Sequence, residues 1–198
     1  QDNQDEQSLV KENNTPTIDS ELEEEPSKEK LFSSPETSIE KPRIDVSLDN
    51  SFEDKTYIEF SKVVNVNLTG TYYLTKLLSK KINNGGNILF ISSTNGIDTY
   101  YIESIDYDAS KAGVISLMHN FAKQLAPIRV NAIAPGWVDT EMNASMSDKF
   151  KKKEEEHILL KRFASPEEIS KVINFVVSDD ASYINDTVIR VDGGVNNG

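Results

Sequence analysis

The chain has 198 residues, no cysteine, two histidines and a formal net charge of −12. A length of this order suits one domain, the absence of cysteine excludes disulfides and thiolate metal sites, and the acidic balance argues against nucleic acid, whose phosphates need basic patches. His119 and His157 stand apart, so no metal is expected, and no apolar run approaches the roughly 18 residues that span a membrane. No signal-peptide pattern opens the chain, which begins at Gln1, and a cytoplasmic protein is expected.

The charge is uneven. Residues 1–56 hold 16 Asp and Glu against 6 Lys and Arg. Residues 1–50 are dominated by Gln, Asn, Glu, Ser, Pro and Lys, with apolar residues only singly. Such a stretch cannot bury enough apolar surface to offset its ordering entropy, so it reads as a disordered acidic segment ahead of a domain at 51–198. Residues 51–54 read as the start of a short helix. The stretch 57–82 then carries apolar residues at helical spacing, which predicts a long helix bent near Gly70. Asn83-Asn84-Gly85-Gly86 ends it.

Residues 87–92 are rich in Ile, Leu and Phe without polar alternation, the pattern of a buried parallel strand. A second amphipathic helix is predicted over 107–125, with Val114, Leu117, Met118, Phe121, Ala122 and Leu125 on one face; His119 within it reads as a packing or surface residue. A buried strand at 128–134 runs into Pro135-Gly136. A Lys- and Glu-rich helix at 145–160 follows, and its charge run 149–156 reads as a solvated face. Ser165-Pro166-Glu167-Glu168 supplies an N-cap, a first-turn proline and acidic first-turn residues for a helix to about Ser178. The last strand is 187–191. Helix and strand alternate, which predicts an α/β fold: a Rossmann-like parallel sheet with flanking helices.

Tyr107 and Lys111 are four residues apart, so on a helix they share a face. A free phenol titrates near 10. An ammonium one turn away stabilises the phenolate and brings the tyrosine toward a working range for proton transfer. By itself the pair also fits a solvated helix face. Ligand sites of open parallel sheets lie beyond the carboxyl ends of the strands. Ser92, Ser93 and Thr94 leave one such end, and Pro135 and Gly136 leave another.

Five pieces, V-N-L-T-G (66–70), I-S-S-T-N-G (91–96), Y-D-A-S-K-A-G (107–113), R-V-N-A-I-A-P-G-W-V-D-T (129–140) and V-D-G-G (191–194), resemble the short-chain dehydrogenase/reductase family. The likeness covers roughly 52–194 and extends to L-x-R-F-x-x-P-E-E-I at 160–169, a segment common in 3-oxoacyl-carrier-protein reductase-like members. It implies an NAD(P)-dependent oxidoreductase that transfers a hydride between nicotinamide and a carbonyl or hydroxyl carbon of a small substrate. By the resemblance Ser93 polarises the substrate oxygen, Tyr107 passes the proton, Lys111 lowers the tyrosine pKa and bonds the nicotinamide ribose, and Asn67 holds a water. Pro135, Gly136, Val138 and Thr140 would face the nicotinamide. Ser93 is preferred to Ser92 because it stands three residues before Gly96; the Ser93–Tyr107 interval is about one residue longer than the family pattern, which fits an insertion at 97–105. The stretch 141–164 resembles the family's substrate lid, whose basic residues are a candidate surface for a phosphopantetheine carrier. Helices 57–82 and 107–125 are those the family uses to form a homodimer or tetramer.

The family's T-G-x-x-x-G-x-G loop, whose backbone N–H groups meet the pyrophosphate at a helix N-terminus, has no counterpart: there is no glycine before Gly70. The N-x-A-G segment and the residue that selects NAD or NADP are absent too. The chain therefore reads as truncated at its N-terminal half. Two expectations follow. One is a catalytic half that is weak or inactive when isolated. The other is an interaction or remnant protein that binds no cofactor. The strand at 87–93 would then present an open edge.

Overall fold

The computed structural model describes residues 47–143 and 146–195. The acidic stretch at 1–46 lies outside the described residues. Residues 47–50 lie against the loop before the long helix, where Asn50 N–H donates to the Glu103 carbonyl (2.9 Å) and the Ser104 hydroxyl donates to Asp49 (2.7 Å).

Residues 51–54 form a single turn closed by Asp54 N–H and Lys55 N–H on the Ser51 carbonyl, not the start of a helix. The helix α1 (Tyr57–Val64) begins only after Thr56, which caps it in a reciprocal box. The Thr56 hydroxyl accepts from Glu59 N–H, and the Glu59 carboxylate accepts from Thr56 N–H. The helical run continues through a π segment, Asn65–Thr69, into α2 (Gly70–Leu78) and a 3-10 turn, Ser79–Lys81. The expected bend near Gly70 is thus a widened turn just before it. One wide turn rotates the faces that follow and turns Asn67 inward, where it is buried.

Strand β1 (Asn87–Ile91) leads to α3 (Ile105–Gln124), β2 (Arg129–Pro135), α4 (Asp148–His157), α5 (Pro166–Val177) and β3 (Val188–Val191). The three strands are parallel in the order β1-β2-β3, with Asn87 opposite Arg129 and Ala132 opposite Val188. The central strand β2 is buried along its middle five residues, which is why it reads as apolar except at Asn131. Side-chain alternation along it sends Val130 and Ala132 into a core with Phe90, Val114, Met118, Phe121 and Ala122. The same alternation sends Arg129 to the carbonyls of Val176 and Ser178 at the end of α5. Among the described residues β1 pairs only with β2, and Ile91 is 47% exposed. No described helix is long and apolar enough to cross a membrane.

Candidate active site

The chain leaves the carboxyl end of β1 through two serines with different roles. Ser92 is a fastener: its N–H donates to Ile133 O (2.8 Å) and its hydroxyl to Lys111 O (2.9 Å). Ser93 caps the turn Thr94–Gly96. Its Oγ accepts from Asn95 N–H (3.2 Å) and pairs with Asn95 Oδ1 (3.1 Å). The turn rests directly on α3, because a Cβ on Gly96 would lie 2.6 Å from the carbonyl carbon of Lys111.

Helix α3 starts at Ile105, two residues before the expected Tyr107, so Tyr107 sits inside the first turn. Lys111 follows one turn on. Its Nζ lies 5.3 Å from the centre of the Tyr107 ring and donates to Ile91 O (3.2 Å). The lysine side chain is buried, so its charge acts on the phenol in a medium that screens little. Ser110 Oγ donates to Tyr107 O (2.7 Å) and accepts from Asn67 Nδ2 (3.1 Å). Asn67 is thereby tied to the tyrosine's own turn. The two helices approach this closely at Gly113, where a Cβ would lie 2.7 Å from Leu68.

Two buried carboxylates flank Tyr107, and sequence reasoning missed both. Asp106 is fully buried and pairs with Lys55 (Nζ–Oδ2 3.0 Å), whose side chain is 4% exposed. Its other oxygen accepts from Tyr107 N–H (2.9 Å). Lys55 Nζ also donates to Leu48 O. Asp108 accepts from Asn95 Nδ2 (2.7 Å) and from Tyr101 N–H (3.1 Å). Burial pushes its carboxyl above the ordinary range; Asn95 and the Tyr101 N–H oppose that shift, and Asp106 and Asp49 add to it. The available signal was two acids in the first turn of an amphipathic helix, at positions where a phenol was also expected.

Pro135 ends β2 opposite Val191, and Gly136 N–H donates to Val191 O (3.0 Å). Val138 forms an isolated parallel bridge with Ala164, and its carbonyl accepts from Asn143 Nδ2 (2.7 Å). Thr140 is exposed beside them. The charge run on α4 is not wholly a solvated face. Glu154 is buried and accepts from the Tyr101 hydroxyl and from Trp137 Nε1 (3.3 Å). Trp137 stacks on Phe163 (5.5 Å) and meets Tyr101 edge-on (5.8 Å). Burial and the Glu154 carboxylate push the Tyr101 phenol up. Outside this area His119 bonds Asp186 (2.6 Å). Among the described residues no three metal-ligating side chains cluster.

The structure therefore bonds Asn67 through Ser110 to the Tyr107 turn, sets Lys111 5.3 Å from the Tyr107 ring and joins Ser93 to their helix through Asn95 and Asp108. Pro135, Gly136, Val138 and Thr140 form a separate strand-end loop next to it in the sheet. A family model described as enoyl-(acyl carrier protein) reductase matches residues 41–196. The chain is 40% identical over 154 residues to the 3-oxoacyl-[acyl-carrier-protein] reductase FabG of Aquifex aeolicus, covering 76% of this chain and 62% of that one. It is 37% identical over 145 residues to the reductase MabA of Mycobacterium bovis, covering 71% and 58%. A crystal structure of 3-oxoacyl-[acyl-carrier protein] reductase from Brucella melitensis superposes with a TM-score of 0.70 at 27% identity, covering 76% of this chain and 60% of that one. The chain thus spans about three fifths of the length of these relatives. With a family model matched over most of the sequence, the chain belongs to the short-chain dehydrogenase/reductase family, as a 3-oxoacyl-carrier-protein reductase-like member.

Proposed function

We propose that this chain carries the proton-transfer half of an NAD(P)-dependent reductase that acts on the carbonyl of a 3-oxoacyl thioester. The observation that carries the proposal is the buried Lys111 ammonium 5.3 Å from the Tyr107 ring on one helix. Lys111 favours the phenolate, and Tyr107 passes its proton to the oxygen that becomes the alcohol. Ser93 holds that oxygen at the end of β1. Asn67, bonded through Ser110 to the Tyr107 turn, fixes the helix that brings the phenol forward. Tyr107, Lys111, Pro135, Gly136, Val138 and Thr140 would line the place of a nicotinamide and its ribose, with Lys111, the Val138 N–H and the Thr140 hydroxyl as donors. The bound nicotinamide supplies or takes the hydride.

The pyrophosphate end lacks such support in this sequence, which has no glycine before Gly70. Residues 1–198 by themselves therefore bind coenzyme weakly and turn over slowly. That same observation favours a second reading, an interaction protein without coenzyme. Titration with NADH and NADPH, followed by nicotinamide fluorescence, separates the two. Saturable binding supports the reductase reading, and no binding at millimolar coenzyme supports the second. Tyr72 and Tyr73 of α2 line a groove with Gly113 and Leu117 of α3, Leu74 and Leu77 on α2 are exposed, and a homodimer or tetramer through these helices would cover them. We place the protein in the cytoplasm.

A further inference from the structure

We propose that Asp108, acting through the side-chain amide of Asn95, sets whether the Ser93 hydroxyl is offered to a substrate oxygen as a donor or as an acceptor. The inference rests on the role given to Ser93 above. It starts from an unbroken line of bonds: Asp108 Oδ1 to Asn95 Nδ2 at 2.7 Å, Asn95 Oδ1 to Ser93 Oγ at 3.1 Å, and Asn95 N–H to Ser93 Oγ at 3.2 Å. An ionised carboxylate only accepts. It therefore holds the amide with Nδ2 toward Asp108 and Oδ1 toward Ser93. The Ser93 proton is then engaged by Asn95, and the hydroxyl meets a ligand with its lone pairs, as an alcohol requires. A neutral Asp108 donates instead. The amide turns over, and Oδ1 accepts the carboxylic proton while Nδ2 donates to Ser93 Oγ. Ser93 then accepts from both the backbone and the side chain of Asn95, and its own proton is released toward a carbonyl oxygen.

The surroundings suit such a switch. Asp108 is buried, and the Tyr101 N–H on Oδ2 (3.1 Å) is compatible with either form. Facing it are Asp106 on its own helix and Asp49 from the preceding segment, both of which favour the neutral acid. Lys55 is held at Asp106, and Lys111 stands one turn beyond Tyr107. Burial makes the largest contribution, and the carboxyl titrates above the ordinary aspartate range.

The test needs no coenzyme. In the 15N-labelled chain the Asn95 side-chain NH2 resonances, identified by their loss in Asn95→Ala, are followed from pH about 8 to about 4, a range ending near the ordinary aspartate value of about 3.9. They are expected to titrate with a midpoint above that value. In Asp108→Asn the titration is expected to vanish. There the new amide must accept the Tyr101 N–H and donate to Asn95, so the peaks stay at their low-pH positions. An Asn95 amide that does not titrate, or that titrates unchanged in Asp108→Asn, overturns the proposal. If Asp108→Asn does not fold, the 13C-carboxyl titration of Asp108 in the native chain decides: a midpoint shared with Asn95 supports the link, and separate midpoints refute it. Failure to bind NADPH would count against the reductase reading and leave this result standing.

Discussion

Replacing Lys55 by Met removes the counter-charge of Asp106 while leaving the Tyr107 N–H on the carboxylate. Asp106 is fully buried and the Lys55 side chain is 4% exposed, so solvent cannot take over the lost contact. Breaking a buried pair from one side costs about 3–5 kcal/mol. With a urea slope of about 2 kcal/mol per molar, the unfolding midpoint falls by about 2 M. The double variant Lys55→Met/Asp106→Asn carries no unmatched charge, and its amide oxygen still accepts from Tyr107 N–H. It is expected to recover to within about 1–2 kcal/mol of the native chain, a strong positive coupling between neighbours. The assay is urea unfolding followed by far-UV circular dichroism. A Lys55→Met midpoint within about 0.3 M of the native one, on that same slope, would refute the reasoning. So would a double variant no more stable than the single.

In any preparation that reduces a 3-oxoacyl thioester, Tyr107→Phe is expected to lower kcat by about 10²–10⁴-fold with KM little changed; a smaller than about tenfold loss would remove the phenol from proton transfer. Glu154→Ala leaves the Tyr101 hydroxyl and the Trp137 Nε1–H without their acceptor and is expected to destabilise by about 1–3 kcal/mol. Trp137 is the sole tryptophan, so its emission should shift to the red as α4 loosens, and an unchanged spectrum would refute that account. The Arg162 guanidinium beside Glu168 pulls its carboxyl down to about 2, helped by the Ser165 N–H. The folded value lies below the unfolded one, about 4.3. The stabilisation is therefore present above that value and is lost as the pH falls toward 2. A 13C titration should return a raised Glu168 value in Arg162→Met, still below the unfolded one because the Ser165 N–H remains on the carboxylate.

The strands were legible because β2 is covered on both faces, so 130–134 is buried throughout and apolar except at Asn131. The helix α5 was legible because its start signal is local: Ser165, Pro166 and Glu168 make the cap within four residues. Tyr107 and Lys111 were legible because helical spacing alone sets their shared face. The π segment at 65–69 was not, since a glycine at 70 drew the bend to itself while the widened turn depends on packing of Asn67 and Leu68 against Ser110 and Gly113. Glu154 was misread for a similar reason. Within the charge run nothing distinguishes it from Glu155 and Glu156, and its partners Tyr101 and Trp137 are 53 and 17 residues away.

The acids beside Tyr107 show the same limit with a chemical consequence. Polar residues in a helix's first turn normally face water and favour the positive end of the helix dipole. Here the 47–56 segment and the Thr94–Gly96 turn close over them, so Asp106 and Asp108 are buried on either side of a phenol. Two uncompensated anions there would oppose Lys111, because like charges disfavour a phenolate as strongly as an ammonium favours it. The fold meets each one differently. Asp106 pairs with Lys55, drawn from 51 residues upstream. Among the described residues no lysine pairs with Asp108, and its burial favours the neutral acid instead. Beside them the Lys111 ammonium lies 5.3 Å from the centre of the Tyr107 ring. The charge balance at the phenol depends on Lys55 and Asn95 as much as on the Y-x-x-x-K spacing, and neither residue belongs to that spacing.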